Sequence, residues 1–382
     1  MRLNTFLASL AASVPLAAAA PVGNATATAA PSRVDGRLFN VNGKTQYFAG
    51  MNAWWMGHMW DANDVDVAMR EIAESGLKVA RVWGFGNSNT RDTDATFYQL
   101  ISKDLPGLKT EINFDYNGIP RFDTVVAAAE KYGVQLVVPF INNWNDLGGI
   151  NTYCAVFDCD GTTFYTNEGA QAAYENYVTF MVNRYKDSNA IFAWELGNEP
   201  RCKGCDTSII YNWASHVSSM IKELDPAHMV TLGDEGWLCG DSIEGDTDYP
   251  YTCGEGVDFK KNLEIETLDY GTYHLYPDSW FKNGNGTWGS VWIKEHDLLA
   301  AAAGKPVVLE EYGINDNHTA VIQEWHRTTL ETGTAADLYW QFGSTAPNTA
   351  LMGDRHTVTY GTEEFDLLFR THAAAMSAKS IE

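Results

Sequence analysis

Eight short apolar runs punctuate the chain at wide intervals: Tyr47–Met51, Lys78–Trp83, Gln135–Ile141, Ile191–Leu196, Met229–Leu232, Tyr270–Leu275, Pro306–Leu309 and Asp337–Phe342. Each is too short for a typical helix and shows no strict polar alternation, the pattern of a strand covered on both faces. Between the runs the period changes. Tyr174, Tyr177, Val178, Met181 and Tyr185 recur three and four residues apart, as do Trp213, Val217, Met220 and Ile221, each set marking one face of a helix. Gly133 and Gly333 stand where such helices should end. Eight buried strands alternating with helices, with no domain-sized break in composition, predict the α/β class and a (β/α)8 TIM barrel. An open doubly wound sheet gives the same alternation but usually carries a glycine-rich phosphate loop, and no G-x-G-x-x-G or Walker sequence is present.

The pattern also marks the ends. Leu38–Val41 and Thr45–Phe48 flank Asn42-Gly43, the signal of a hairpin with a type I′ turn. A last helix is expected at roughly 362–378. Met1-Arg2-Leu3 followed by an alanine-rich apolar stretch from Phe6 to Ala20 reads as an export signal, because a membrane anchor needs about 20 apolar residues and different flanks. The expected organisation is a signal peptide over 1–20, a short leader or disordered arm over 21–35, and a single catalytic barrel domain over 36–382. No later segment is apolar enough to span a bilayer, so a soluble, secreted, extracellular protein is expected, with no membrane partner.

Composition narrows this. A formal net charge of −23 argues against nucleic acid, whose phosphates would be repelled, and suits an uncharged partner. The six cysteines form three close pairs, Cys154 with Cys159, Cys202 with Cys205, and Cys239 with Cys253. In an exported chain local disulfides are the natural reading. Zinc at the C-x-x-C of Cys202 and Cys205 is the competing one, but no second such motif or nearby His pair completes a site. Sequons at Asn24, Asn285 and Asn317 are compatible with glycosylation in a secretory pathway.

In a barrel, chemistry lies just past the strand ends. The fourth run leads into Gly197-Asn198-Glu199-Pro200-Arg201 and the seventh into Glu310-Glu311-Tyr312-Gly313. Two carboxylates at two strand ends suit glycoside cleavage, where one protonates the leaving oxygen and the other attacks the anomeric carbon or activates water. Glu195 and Glu310, each one strand position from facing the mouth, read instead as salt-bridge residues. Trp55, Trp194 and Trp213 read as core, and His58 with the remaining histidines as structural or surface groups.

Arg81-Val82-Trp83-Gly84-Phe85, Asn143-Trp144, Asn198-Glu199-Pro200-Arg201-Cys202, Tyr273-His274-Leu275-Tyr276-Pro277 and Trp340-Gln341-Phe342, in that order, resemble the fungal endo-β-1,4-mannanases of glycoside hydrolase family 5. Gly197 departs from the Ala expected in many relatives, a small-for-small change. The resemblance implies a retaining hydrolase without a cofactor or metal, acting as a monomer on β-mannan polysaccharide. It implies Glu199 as acid/base, with its pKa raised by anionic Glu311, and Glu311 as nucleophile, held ionised by Arg81 and bonded by Tyr276. Asn198 is implied to bind the sugar 2-OH, His274 to support the acid/base, and Trp340 to form the platform under the scissile sugar. Trp83 and Trp144 are implied to line neighbouring subsites, and Arg201 to touch a sugar on the leaving-group side. The alternatives are an endo-β-1,4-glucanase of the same family and a carbohydrate-binding barrel without catalysis. A metal-dependent hydrolase finds no convincing His/Asp ligand cluster in the sequence.

Overall fold

The computed structural model describes residues 30–92, 94–282, 286–347 and 353–381. The expected signal peptide and the sequons at Asn24 and Asn285 lie outside these residues. All eight apolar runs form strands: β1 Phe48–Asn52, β2 Val79–Arg81, β3 Gln135–Pro139, β4 Ile191–Glu195, β5 Met229–Thr231, β6 Gly271–Leu275, β7 Val307–Tyr312 and β8 Ala336–Tyr339. They are parallel and pair in the order β5-β4-β3-β2-β1-β8-β7-β6. The seam between β5 and β6 is bridged without a regular ladder. Asp269 N donates to Val230 O at 2.8 Å, Thr231 Oγ1 to Tyr270 O at 3.1 Å and His274 N to Glu235 O at 3.2 Å. The sheet thus closes nearly all the way round, as a (β/α)8 barrel requires.

Helices α1 Ala62–Ser75, α2 Ile119–Tyr132, α3 Glu168–Tyr185, α4 Ser208–Leu224, the single-turn α5 Phe259–Asn262, α6 Gly286–Ala303 and α7 His318–Glu331 lie between the strands. Glu363–Phe365, a π-helical stretch Asp366–Arg370 and Thr371–Ala378 follow the last strand. The aromatic stripe foreseen on α3 is buried throughout. Gly133 closes α2 in the left-handed conformation, φ 71°. Gly333 does not play that part, because α7 ends on Thr332, whose N–H bonds to Thr328 O.

The hairpin at the start forms with both turn residues at positive φ, Asn42 at 52° and Gly43 at 83°, as a type I′ turn demands. Its strand Leu38–Val41 also pairs with Arg33–Asp35, and Ser32 Oγ donates to Gln135 Oε1 at 2.7 Å. Ladder and side-chain bonds thus tie residues 32–35, the last of the segment expected as an arm, to the hairpin and the barrel. The ribbon plugs the barrel from below: Phe39 packs its ring against Phe48, Phe192 and Tyr270 at 5.9, 5.1 and 5.2 Å. Filling the bottom with apolar rings leaves the polar chemistry at the other end. Among the described residues no helix is long and apolar enough to cross a membrane.

Candidate active site

Arg81, the last residue of β2, is fully buried at the upper end of the barrel interior. All five of its N–H groups are used. Nε and Nη2 grip Glu195 at 2.7 Å each, Nη1 binds Asn52 Oδ1 at 3.1 Å and Glu311 Oε1, and Nη2 also reaches Asn198 Oδ1 at 2.8 Å. A buried guanidinium satisfied in this way is a rigid template, because its planar fork fixes each partner's direction. Glu195 is thus a salt-bridge residue, and the one that anchors the template. Glu310 also faces inward, 3.7 Å from Arg81 Nε and 3.6 Å from His274 Nε2. The cause is a bulge. The β6–β7 register runs Tyr273↔Leu309 and then His274↔Glu311, skipping Glu310. Strict alternation would send Glu311 outward; the bulge turns both glutamates toward the barrel axis. Tyr312 then points outward, to His326 on α7 and Asp337 on β8.

Glu199 sits past β4 in a left-handed conformation, φ 52°, unusual for a non-glycine residue and of the kind that collects at functional sites. Bonds from Asn198 N to Ile141 O at 2.7 Å and from Glu199 N to Gly233 O at 2.9 Å hold it. Its carboxylate meets His274 Nδ1 at 2.8 Å and accepts from Trp144 Nε1 at 2.5 Å. Glu311 accepts from Tyr276 OH at 2.8 Å. One oxygen from each glutamate and a ring nitrogen of His274 lie within 4.8 Å of one another. Asn198 donates to Asn142 Oδ1 at 3.0 Å, which leaves its second amide hydrogen for a ligand.

These groups floor an open cleft of about 600 Å³. Trp54, Trp83 and Trp340 form one wall: Trp340 is parallel to Trp54 with centroids 6.3 Å apart and tilted against Trp83 at 5.7 Å. Asp354 fixes that wall by accepting from Trp340 Nε1 at 2.8 Å and Gln341 Nε2 at 2.7 Å. On the opposite wall Arg201 is gripped by both oxygens of Glu235, at 2.6 and 2.5 Å, and lies between the rings of Trp144 and Trp237 at 4.8 and 5.2 Å. The disulfides Cys202–Cys205 and Cys239–Cys253 brace this wall, and Cys154–Cys159 closes the third pair.

The ten residues singled out in the sequence thus meet at one place, eight lining the cleft and Arg81 and His274 buried beneath it. Trp54, Asn142, Glu235, Tyr249, Trp280, Asp354 and His356 also line it and were missed. Trp54, Glu235 and Trp280 follow β1, β5 and β6 closely, so position past a strand end was an available signal. His356, expected as a structural or surface group, lines the cleft with its ring 5.7 Å from that of Tyr276.

Residues 32–345 match the family described as GH family 5 beta-mannosidase-like. The chain belongs to that family. It is 48% identical over 386 residues to mannan endo-1,4-beta-mannosidase A of Aspergillus aculeatus, covering 100% of both chains. To mannan endo-1,4-beta-mannosidase F of Aspergillus clavatus it is 46% identical over 335 residues, 87% of this chain and 76% of that one. The crystal structure of the endo-1,4-beta-mannanase from Rhizomucor miehei superposes with a TM-score of 0.82 at 31% identity, over 92% of this chain and 100% of that one.

The charges in this family 5 cleft differ from the simple expectation. Burial raises the Glu199 carboxyl, but the His274 hydrogen bond and charge, then Arg201 and Trp144, outweigh it and bring it down to about 2. Burial raises Glu311 and outweighs the charges of His274 and Arg81. Burial opposes a charge on His274, yet Glu311, Glu199 and Glu310 lift its imidazole well above the usual range. The Glu199 carboxyl, expected to be raised, is thus lowered instead, because it lies 2.8 Å from an imidazole whose charged form its neighbours favour. The fold also makes a His326–Asp337–His372 cluster that the sequence did not show. Its imidazoles stack at 3.7 Å, 5° from parallel, so their in-plane lone pairs do not converge on one ion.

Proposed function

We propose that this chain is a secreted, monomeric retaining endo-β-1,4-mannanase, a single barrel domain that hydrolyses internal links of mannan, galactomannan and glucomannan. The observation that carries the reading is the pair of carboxylates, one past β4 and one near the end of β7, with an oxygen of each within 4.8 Å of the other on the floor of an open, aromatic-walled cleft. An inverting enzyme needs about 6.5–9.5 Å between carboxyl groups for a water, and a retaining one about 5–5.5 Å. The three disulfides suit an oxidising compartment.

Glu311 is the nucleophile. Its oxygen bonds to the anomeric carbon as the glycosidic C–O bond breaks, and the proton of the Glu199–His274 couple passes through Glu199 to the leaving oxygen. Water then gives a proton to Glu199, attacks the same carbon and frees Glu311. Arg81 and Tyr276 occupy the two Glu311 oxygens and fix its line of attack. The free Asn198 amide hydrogen serves the sugar 2-OH, Trp340 the sugar face, Trp83 the neighbouring subsite, and Trp144 with Arg201 the leaving-group side. Product analysis on β-1,4-manno-oligosaccharides, with proton NMR of the first anomer released, tests this. Internal cleavage with β-anomer formation is expected. Faster initial rates on carboxymethyl-cellulose than on mannan would replace the substrate assignment with a glucanase.

A further inference from the structure

Five aromatic side chains stand among the large exposed hydrophobics of the described residues: Trp60, Phe114, Tyr116, Trp144 and Phe281. Trp144 lines the cleft, and Phe281 packs on the cleft residue Tyr249 at 5.9 Å. The other three gather elsewhere, beside α2 and α3, with exposures of 43% for Trp60, 59% for Phe114 and 56% for Tyr116. Trp60 and Tyr116 pair at 5.7 Å, and Phe114 sets its ring edge-on to Phe180 of α3 at 5.5 Å.

The patch is held in shape. Arg121 lies over the Trp60 ring at 5.3 Å and donates to the main-chain carbonyls of Tyr116, at 2.7 Å, and of Trp60, tying two loops together. Arg184 reaches over both Phe114 and Phe180 at 6.0 Å and is locked to Asp123 at 2.8 and 2.6 Å. Beside them Asn176, Thr179, Phe180 and Asn183 line a surface groove of about 520 Å³ with Arg184. Aromatic rings kept in water with amides and a hydroxyl alongside do not serve the core, and such clusters mark binding surfaces.

We propose that this flank is a second polysaccharide site, separate from the cleft, that takes a neutral β-1,4-mannan chain. The proposal rests on the mannanase reading above. A pyranose offers C–H faces to rings and hydroxyls to amides and guanidinium groups. Charge selects the same occupant. Arg184 is already paired with Asp123, and Arg121 is fixed by main-chain carbonyls and its place over Trp60, so both can offer N–H groups to hydroxyls without leaving their positions. An anionic polymer, by contrast, meets a chain of net charge −23. A mannan particle presents far more chain than the cleft holds. A second contact therefore raises the effective concentration of substrate at the cleft without touching the chemistry.

The test uses Trp60→Ala/Tyr116→Ala and, separately, Phe114→Ala, all at exposed positions. In a Glu311→Gln background, depletion onto insoluble β-1,4-mannan should weaken about tenfold in the double variant and less in the single one. In the otherwise wild-type protein, kcat/KM on mannotetraose should be unchanged while the rate on insoluble mannan falls several-fold. Unaltered depletion would overturn the site. So would sedimentation showing a wild-type dimer that the double variant dissolves with mannan depletion intact, which would make the patch an interface between copies. Adsorption to cellulose but not to mannan would overturn the ligand assignment. Loss of mannotetraose cleavage by the wild-type protein would instead sink the mannanase reading, a result separate from all of these.

Discussion

His274 stands between two carboxylates, with Nδ1 2.8 Å from Glu199 Oε1 and Nε2 3.6 Å from Glu310 Oε2. In the proposed mechanism the proton that Glu199 delivers is drawn from this imidazole, so the pH profile should report the couple and not a lone carboxyl.

The active form needs Glu311 ionised and one proton on the couple. Glu311 is raised from its ordinary value, so activity should be lost on the acid side through a limb above about 4.5. His274 is raised well above 6.5, so the alkaline limb, where the couple loses its proton, should lie above that value. Between the limbs kcat/KM should form a bell. In His274→Asn the alkaline limb reports Glu199 alone and should move toward acid. A limb that stays in place under that substitution contradicts proton sharing.

The two glutamates should fail differently. Glu199→Ala should lower kcat/KM on mannan by about 10²–10⁴, the usual contribution of a general acid, yet still form the glycosyl-enzyme from activated aryl mannosides. Glu311→Ala should form none. Mass spectrometry of the trapped intermediate decides this; equal loss of that step in both variants would reverse or dissolve the division of roles.

How far the sequence reached follows the nature of each signal. The eight strands were legible because strands buried on both faces are largely apolar and short, and runs such as Ile191–Leu196 and Met229–Leu232 recur between longer helical patterns. Glu199 and Glu311 were legible because each follows such a run. Glu310 was misplaced because a bulge changes which face a residue takes without changing composition. The place of Glu235 past β5 could have marked it as a candidate, but its pairing with Arg201, 34 residues away, is one only the closed barrel creates. Ser32 joined the fold unannounced, since its single bond to Gln135 spans 103 residues.

Arg201 is held by Glu235 and flanked by two tryptophans, so its removal empties one wall and leaves the floor intact. Arg201→Ala should raise KM on mannotetraose roughly tenfold, the loss of one or two charge-assisted hydrogen bonds, and shift the bond cleaved. Long mannan should be less affected, because other contacts compensate. Glu235→Gln should change the products in the same direction, since it breaks the two-oxygen grip and leaves the guanidinium to Glu255 at 3.4 Å and Tyr249 OH at 3.3 Å. An unchanged product ratio on mannotetraose would remove Arg201 from the leaving-group side.

Stability should carry a separate acid signature. Burial, and after it the charge of His372, hold His326 well below 6.5. A depressed histidine favours the fold above the unfolded value and loses that contribution as pH falls, because the unfolded chain then takes a proton the folded one refuses. From pH 6.5 to 5 this is at most about 2 kcal/mol. His326→Gln, which keeps a partner for Tyr312, should show a smaller fall in Tm between pH 7 and 5 than the wild-type protein. Parallel Tm curves would place the acid lability elsewhere.

The support beneath the glutamates also depends on a backbone passage. Gly233 lies at φ 82° just past β5, and a Cβ there would meet Glu195 Oε1 at 2.2 Å and Gly197 O at 2.3 Å. Gly361, at φ 80°, has nothing within 4 Å of such an atom. Both positions resist alanine through backbone conformation, by about 1–2 kcal/mol, so their difference isolates the collision. Gly361→Ala should lower Tm slightly and leave kcat unchanged. Gly233→Ala should push Glu195 off Arg81, loosen the template that aims Glu311, and reduce kcat by at least tenfold with a larger loss of Tm. Circular dichroism on both variants separates misfolding from misplacement. Wild-type kcat in Gly233→Ala would show that the Glu195–Arg81 grip does not position the nucleophile.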